Sequence, residues 1–192
     1  MRTASWTGSL VATALLIACS GEKAPQGLAT GDVVRVVGIV KGDEITVKKG
    51  GAEQRVRLVG VHAFSPVLAD PQVHALSAGA QSALEEWIKD KDVTVTLDHT
   101  PKDPSGRWLA YVDDQGADIN RRLIETGWGV VYTEFPFDRE ATYLAAEASA
   151  RAAARGVWDL KSAVDLVKGL RRQWLTVRPQ NGKAHLTDAL LQ

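Results

Sequence analysis

Between Val33 and Val61 the chain offers three extended segments in quick succession, and this run constrains the fold more than any other feature. Val33 to Val40 is rich in β-branched valine, which favours a strand over a helix. From Asp43 to Lys49, Ile45 and Val47 alternate with Thr46 and Lys48, the period-two pattern of a half-buried strand. Gly50-Gly51 supplies a turn, and Glu53 to Val61 returns as a third strand. The period then changes. Val73, Leu76, Ala80, Leu84, Trp87 and Ile88 fall on one helical face, so Gln72 to Asp90 is predicted as an amphipathic helix.

Val93, Val95 and Leu97 restore the alternation, and Trp108 to Asp113 makes a fifth strand after the Pro104-Ser105-Gly106 turn. Three strands, a helix and two strands fit an α+β domain built on a five-stranded OB-type barrel, whose open face commonly holds oligonucleotides. Asp118 to Thr126 reads as a short helix stopped by Gly127. Asp138 is placed to cap a longer alanine-rich helix that Gly156 terminates, giving about three helices in all.

The ends of the chain read differently. Arg2 precedes an apolar run from Gly8 to Ala18 that is too short to span a bilayer comfortably. That run closes on Leu16-Ile17-Ala18-Cys19, which resembles a bacterial lipobox, and Cys19 is the only cysteine of the 192 residues. Residues 1–19 are therefore expected to be a lipoprotein signal, with lipid on Cys19 tying the chain to the membrane of a bacterial envelope. Residues 20–31 read as a flexible tether, and Ser20 after the cysteine favours the outer membrane in a Gram-negative cell. Residues 160–192 form a C-terminal extension. Leu160, Val164, Val167, Leu170 and Trp174 line one side of a helix, with Lys161, Lys168, Arg171 and Arg172 off it. That helix is expected to pack on the barrel; as a basic amphipathic segment it would instead meet an anionic membrane or nucleic acid.

Net charge is zero over the whole sequence, and loss of Arg2 with the signal leaves one basic residue fewer than the 23 acidic ones. Phosphate neutralisation dominates non-specific binding to nucleic acid. A general DNA-coating role is therefore excluded, and any such affinity must come from a local patch.

Two motifs point to such a patch. Arg55-Val56-Arg57-Leu58-Val59-Gly60-Val61 and Asp103-Pro104-Ser105-Gly106-Arg107-Trp108-Leu109-Ala110 resemble the staphylococcal nuclease (thermonuclease-like) family. The resemblance covers residues 32–159 and ends on Gly156-Val157-Trp158. It implies the same barrel followed by two helices, and hydrolysis of phosphodiesters with three kinds of group. Carboxylates hold Ca²⁺, a glutamate activates water, and two arginines offset charge on the phosphoryl oxygens. The arginines match Arg57 and Arg107. One metal carboxylate matches Asp43, in Lys41-Gly42-Asp43-Glu44 where the family reads Asp-Gly-Asp-Thr.

Elsewhere the chain departs from the pattern. His62-Ala63-Phe64-Ser65 stands where the family reads Asp-Thr-Pro-Glu, so His62 replaces the second metal carboxylate and Ser65 the glutamate. Ser105 stands where an aromatic residue is common. A histidine is a poor partner for hard Ca²⁺, although Asp43 and His62, with Glu44, His74 or Asp70, offer donors for Mn²⁺ or Zn²⁺. Ser65 as a nucleophile is set aside, because no nucleophile-elbow setting surrounds it. His99 and His185 stand alone. Trp87, Trp108, Trp128 and Trp158 read first as packing residues, with Trp108 and Trp128 also suited to base stacking.

The expectation is a degenerate nuclease in which Arg57 and Arg107 still hold nucleic acid or another phosphate-bearing ligand, with no cofactor or a transition metal in place of Ca²⁺. Two alternatives stay open. One is an active metal-dependent phosphodiesterase with a rewired site; the other is an envelope module that binds a protein partner.

Overall fold

The structure, a computed structural model, describes residues 27–65 and 70–178. Cys19, the lipobox and His185 lie outside the described residues. Five strands close the barrel: β1 (Asp32–Lys41), β2 (Glu44–Lys49), β3 (Ala52–Leu58), β5 (Asp92–Lys102) and β6 (Trp108–Asp114). Each is antiparallel to its neighbours in the order β3-β2-β1-β5-β6, and the ring shuts through a parallel pairing of β3 with β6, Arg57 opposite Leu109. That last pairing brings the two arginine motifs side by side. Helix α1 (Pro71–Ile88) is capped by Asp70, whose carboxylate accepts hydrogen bonds from the amides of Gln72 and Val73. It lays Leu84, Trp87 and Ile88 against barrel residues Val36, Ile45, Val47, Val56 and Val95, all buried.

The third strand is shorter than its apolar pattern predicts. It breaks after Leu58 because Gly60 takes a left-handed φ of 73°, and a side chain there would strike Phe137 at 2.4 Å. Val61 and His62 then form a separate strand, β4, paired with β8 (Val130–Val131). His62 thus leaves the barrel wall and joins a two-stranded ribbon at its lip.

After β6, a two-residue strand β7 (Ala117–Asp118) leads into α2 (Ile119–Glu125), with Asp118 as the N-cap accepting from the amide of Arg121. Asn120, fully buried, stitches this helix to the barrel: its amide donates to the carbonyls of Val59 and Ala110, and its Oδ1 accepts from Val112. Helix α3 (Glu140–Ala152) departs from expectation at both ends. Arg139, not Asp138, occupies its N-cap, and the helix stops at Ala152, four residues before Gly156. Gly156 serves a different purpose. It sits against the Gly127 backbone and opens a 3-10 turn (Gly156–Asp159), with the amide of Val157 donating to the Gly127 carbonyl at 3.0 Å.

The extension folds as α4 (Lys161–Val177) and packs on the domain. Val167 and Trp174 share a second core with Phe64, Val73, Leu76, Val130 and Val157. The expected basic face needs correction. Arg171 is buried and ion-paired with buried Glu147, while Arg178 just beyond the helix makes two 2.8 Å bonds to Glu140 and one of 2.7 Å to the Thr133 carbonyl. Two arginines therefore anchor the extension inward. Of the other basic residues, Lys161 pairs with Asp165 and Arg172 is exposed. No helix among the described residues is long and apolar enough to cross a membrane.

Candidate active site at the barrel mouth

A cavity of about 860 Å³ opens where β3, the β1–β2 turn, the β5–β6 loop and β4 converge. Lys41, Asp43, Arg57, His62, Ser65 and Arg107 all line it, so the structure gathers the motif residues into one place. It shares that cavity with Lys102, Tyr132, Phe135 and Trp174.

Arg107 is held by the loop that presents it. Asp103 Oδ1 accepts from the amides of Ser105 and Arg107, which forms the turn. Its Oδ2 accepts from Arg107 Nε at 2.7 Å and lies 2.6 Å from Nη2. The Asp-x-x-Gly-Arg spacing is thus a device for aiming one guanidinium. Burial resists a charge on Asp103, yet the hydrogen bonds and charge of Arg107 prevail and hold its carboxyl below the usual range. Arg107 Nη1 reaches across to Glu44 Oε2 at 2.8 Å, leaving one hydrogen on each terminal nitrogen without a partner among the described residues.

Glu44 is the residue that sequence reasoning undervalued. It reads as a departure from the family's threonine, but it is 1% exposed and anchors both Arg107 and Arg55 from beneath. Its partners are 11 and 63 residues away in the chain and meet it only when β2, β3 and the β5–β6 loop come together, so nothing local marks it.

Asp43 is as deeply buried. Its Oδ2 accepts from the amide of Ala63 at 3.0 Å and is ion-paired with Arg57. Its Oδ1 is buried without a hydrogen bond, and the Lys41 ammonium stands 3.4 Å away. Burial opposes the charge, but Arg57 and Lys41 overcome it and hold the carboxyl below its usual range. Arg57 also donates to the Val61 carbonyl at 3.1 Å and lies 6.0 Å from the Tyr132 ring centroid.

His62 sits among aromatic rings. Trp174 meets it edge-on at 5.1 Å and Phe64 at 6.3 Å, and Tyr132 stacks at 6.2 Å. Desolvation dominates there and lowers its pKa to about 4; the Asp43 charge works the other way, and Arg57 and Lys41 add to the lowering. At neutral pH the ring is uncharged. Trp174 is the second residue that escapes sequence reasoning: it falls in the apolar stripe of α4, and nothing local marks it as a wall of this cavity.

A Ca²⁺ ion does not fit this donor set. Ca²⁺ takes six to eight oxygen ligands, several from carboxylates. Here Asp43 is committed to Arg57, the Ala63 amide and Lys41, Glu44 is committed to two arginines, and positions 62 and 65 carry an imidazole and a hydroxyl. The transition-metal set is not assembled as a trio either. Asp70 caps α1 and His74 is exposed on it. Among the described residues, the one group of three or more such side chains with ligand atoms within 4.8 Å is Asp98, His99 and Asp138, which the sequence did not suggest. Asp138 lies 3.4 Å from His99, and both are exposed. The tryptophans pack: Trp87 is buried with Arg122 over its ring at 4.0 Å, Trp108 carries Lys102 at 4.2 Å, and Trp158 carries Arg151 at 4.6 Å.

The profile of the family described as staphylococcal nuclease homologue matches residues 55–160, more than half of the chain. The chain belongs to the staphylococcal nuclease family. Among its relatives, an uncharacterised protein of Bacillus anthracis is 33% identical over 136 residues, covering 68% of this chain and 63% of that protein. A thermonuclease of Staphylococcus intermedius is 33% identical over 82 residues, 43% of this chain and 49% of the enzyme. A thermonuclease of Staphylococcus hyicus is 27% identical over 130 residues, 63% and 77% respectively. The chain thus spans about half to two thirds of the first two relatives. The family match takes in Arg57, His62, Ser65 and Arg107. Asp43 lies before it and α4 after it.

Proposed function

We propose that this domain holds the phosphates of a nucleic-acid strand and performs little or no hydrolysis. The observation that carries the reading is the state of Asp43: the carboxylate that a nuclease would turn toward a metal is buried and already answered by Arg57 and Lys41. No carboxylate stands at 62 or 65 to position a metal or activate water. The arginines keep their place on the cavity wall, and Arg107 keeps free hydrogens, so the contacts that grip phosphate outlast those that cleave it. Exposed Phe135 at the same rim supports a strand whose bases stack.

Arg107→Ala tests the reading, because Glu44 retains Arg55 and Lys41 and the barrel should still close. Binding of a labelled single-stranded oligonucleotide should weaken roughly tenfold, and the salt dependence should lose about one unit of slope. Unchanged affinity and slope would sink it. We further propose attachment to a bacterial envelope membrane through Cys19, supported by Leu16-Ile17-Ala18-Cys19 and by the absence of any other cysteine. Expression of Cys19→Ser in cells fed labelled fatty acid should abolish labelling; retained label would exclude this cysteine.

A further inference from the structure

The same cavity carries one consequence that rests on the phosphate-holding reading and goes further. Lys41 is the last residue of β1 and Asp43 lies in the two-residue turn, Gly42-Asp43, that leads to Glu44; the Lys41 ammonium folds over this turn to lie 3.4 Å from Asp43 Oδ1 and 4.0 Å from Glu44 Oε2. Asp43 Oδ1 has no hydrogen bond, so Lys41 is the cation that answers it. The order of depth matters. Both carboxylates are 1% exposed whereas the Lys41 side chain is 40% exposed, so a ligand entering the cavity meets the cation before it meets either acid. Arg57 and Arg107 line the same cavity, and each neutralises one of those acids from the side.

We propose that Lys41 is a covalently tethered counter-cation of this site, which replaces a divalent metal and lets the cavity bind phosphate esters in a metal-independent way. A divalent ion brought to Asp43 Oδ1 would have to displace or crowd the ammonium, and like charges at that spacing repel. A phosphate oxygen instead gains a third positive group beside the two guanidiniums. Lysine suits this task as a compact point charge on a flexible stem.

The test uses the purified full chain and a fluorescent single-stranded DNA oligonucleotide, with binding read by anisotropy in chelator and in millimolar Ca²⁺. Wild type, Lys41→Met and Lys89→Met are compared; Lys89 is an exposed lysine at the end of α1, outside the cavity, and controls for general charge. Matching circular dichroism and urea midpoints establish that each variant is folded. Wild-type affinity should be the same within about twofold in both buffers. Lys41→Met should bind roughly tenfold more weakly in chelator, and Lys89→Met should not. Wild-type binding that strengthens roughly tenfold or more with Ca²⁺, or a Lys41→Met affinity equal to that of Lys89→Met, overturns the tethered-cation role while leaving phosphate binding intact. No binding in either buffer overturns the phosphate-holding reading and this inference together.

Discussion

Acidification should destabilise this protein through His62, by an amount its surroundings set. In the unfolded chain its imidazole titrates near 6.5; in the folded chain, among Phe64, Tyr132 and Trp174, it titrates near 4. Between those values the unfolded state takes up a proton that the folded state refuses, so stability is intact above pH 6.5 and falls as pH drops toward 4. Each unit of difference is worth about 1.4 kcal/mol, so lowering the pH from 7 to 4.5 should remove about 2.5 kcal/mol on account of this one residue. Urea unfolding at both pH values, for wild type and His62→Gln, isolates it. Wild type should lose about 2.5 kcal/mol more than the variant, roughly 5–10 °C in melting temperature for a chain of this size. Parallel losses would refute the reasoning. A variant that loses more than wild type would show that the Asp43 charge, not desolvation, governs the ring.

Glu147→Ala should cost about 3–5 kcal/mol, because it takes the carboxylate from buried Arg171 and the 2.8 Å acceptor from the Val131 amide. The double variant Glu147→Leu/Arg171→Met should recover the part due to the stranded Arg171 charge in thermal melts while the Val131 amide stays unpaired; a double variant no more stable than Glu147→Ala would argue against a buried ion pair. Asn120→Ala should cost about 2–4 kcal/mol in urea unfolding, since the Val112 amide and the Val59 carbonyl lose their buried partner. A cost below about 0.5 kcal/mol would mean that Asn120 is not the stitch between α2 and the barrel.

The barrel was legible because its strands obey period two and its first helix obeys the helical period over five turns. The arginine motifs were legible because a turn residue, a glycine and an arginine at fixed spacing have a local cause, seen in the Asp103 hydrogen bonds. What stayed hidden depends on distant partners. Arg171 looks like one charge of a solvated basic face until Glu147, 24 residues away, is placed against it. Glu44 looks like a lost threonine until Arg55 and Arg107 close over it. Gly156 looks like a helix stop, yet its partner is Gly127, and the helix has already ended. Asp138 suits an N-cap by residue type, but the backbone turns into α3 one residue later and leaves it facing His99.

Incubation of the purified chain with single-stranded DNA and with RNA, in Ca²⁺, Mn²⁺, Zn²⁺ or chelator, tests the central claim most directly, with Arg107→Ala as the control for contaminating nuclease. The account predicts intact substrate in every condition. Metal-dependent cleavage by wild type that disappears in Arg107→Ala would contradict it and make this an active nuclease with a rebuilt metal site.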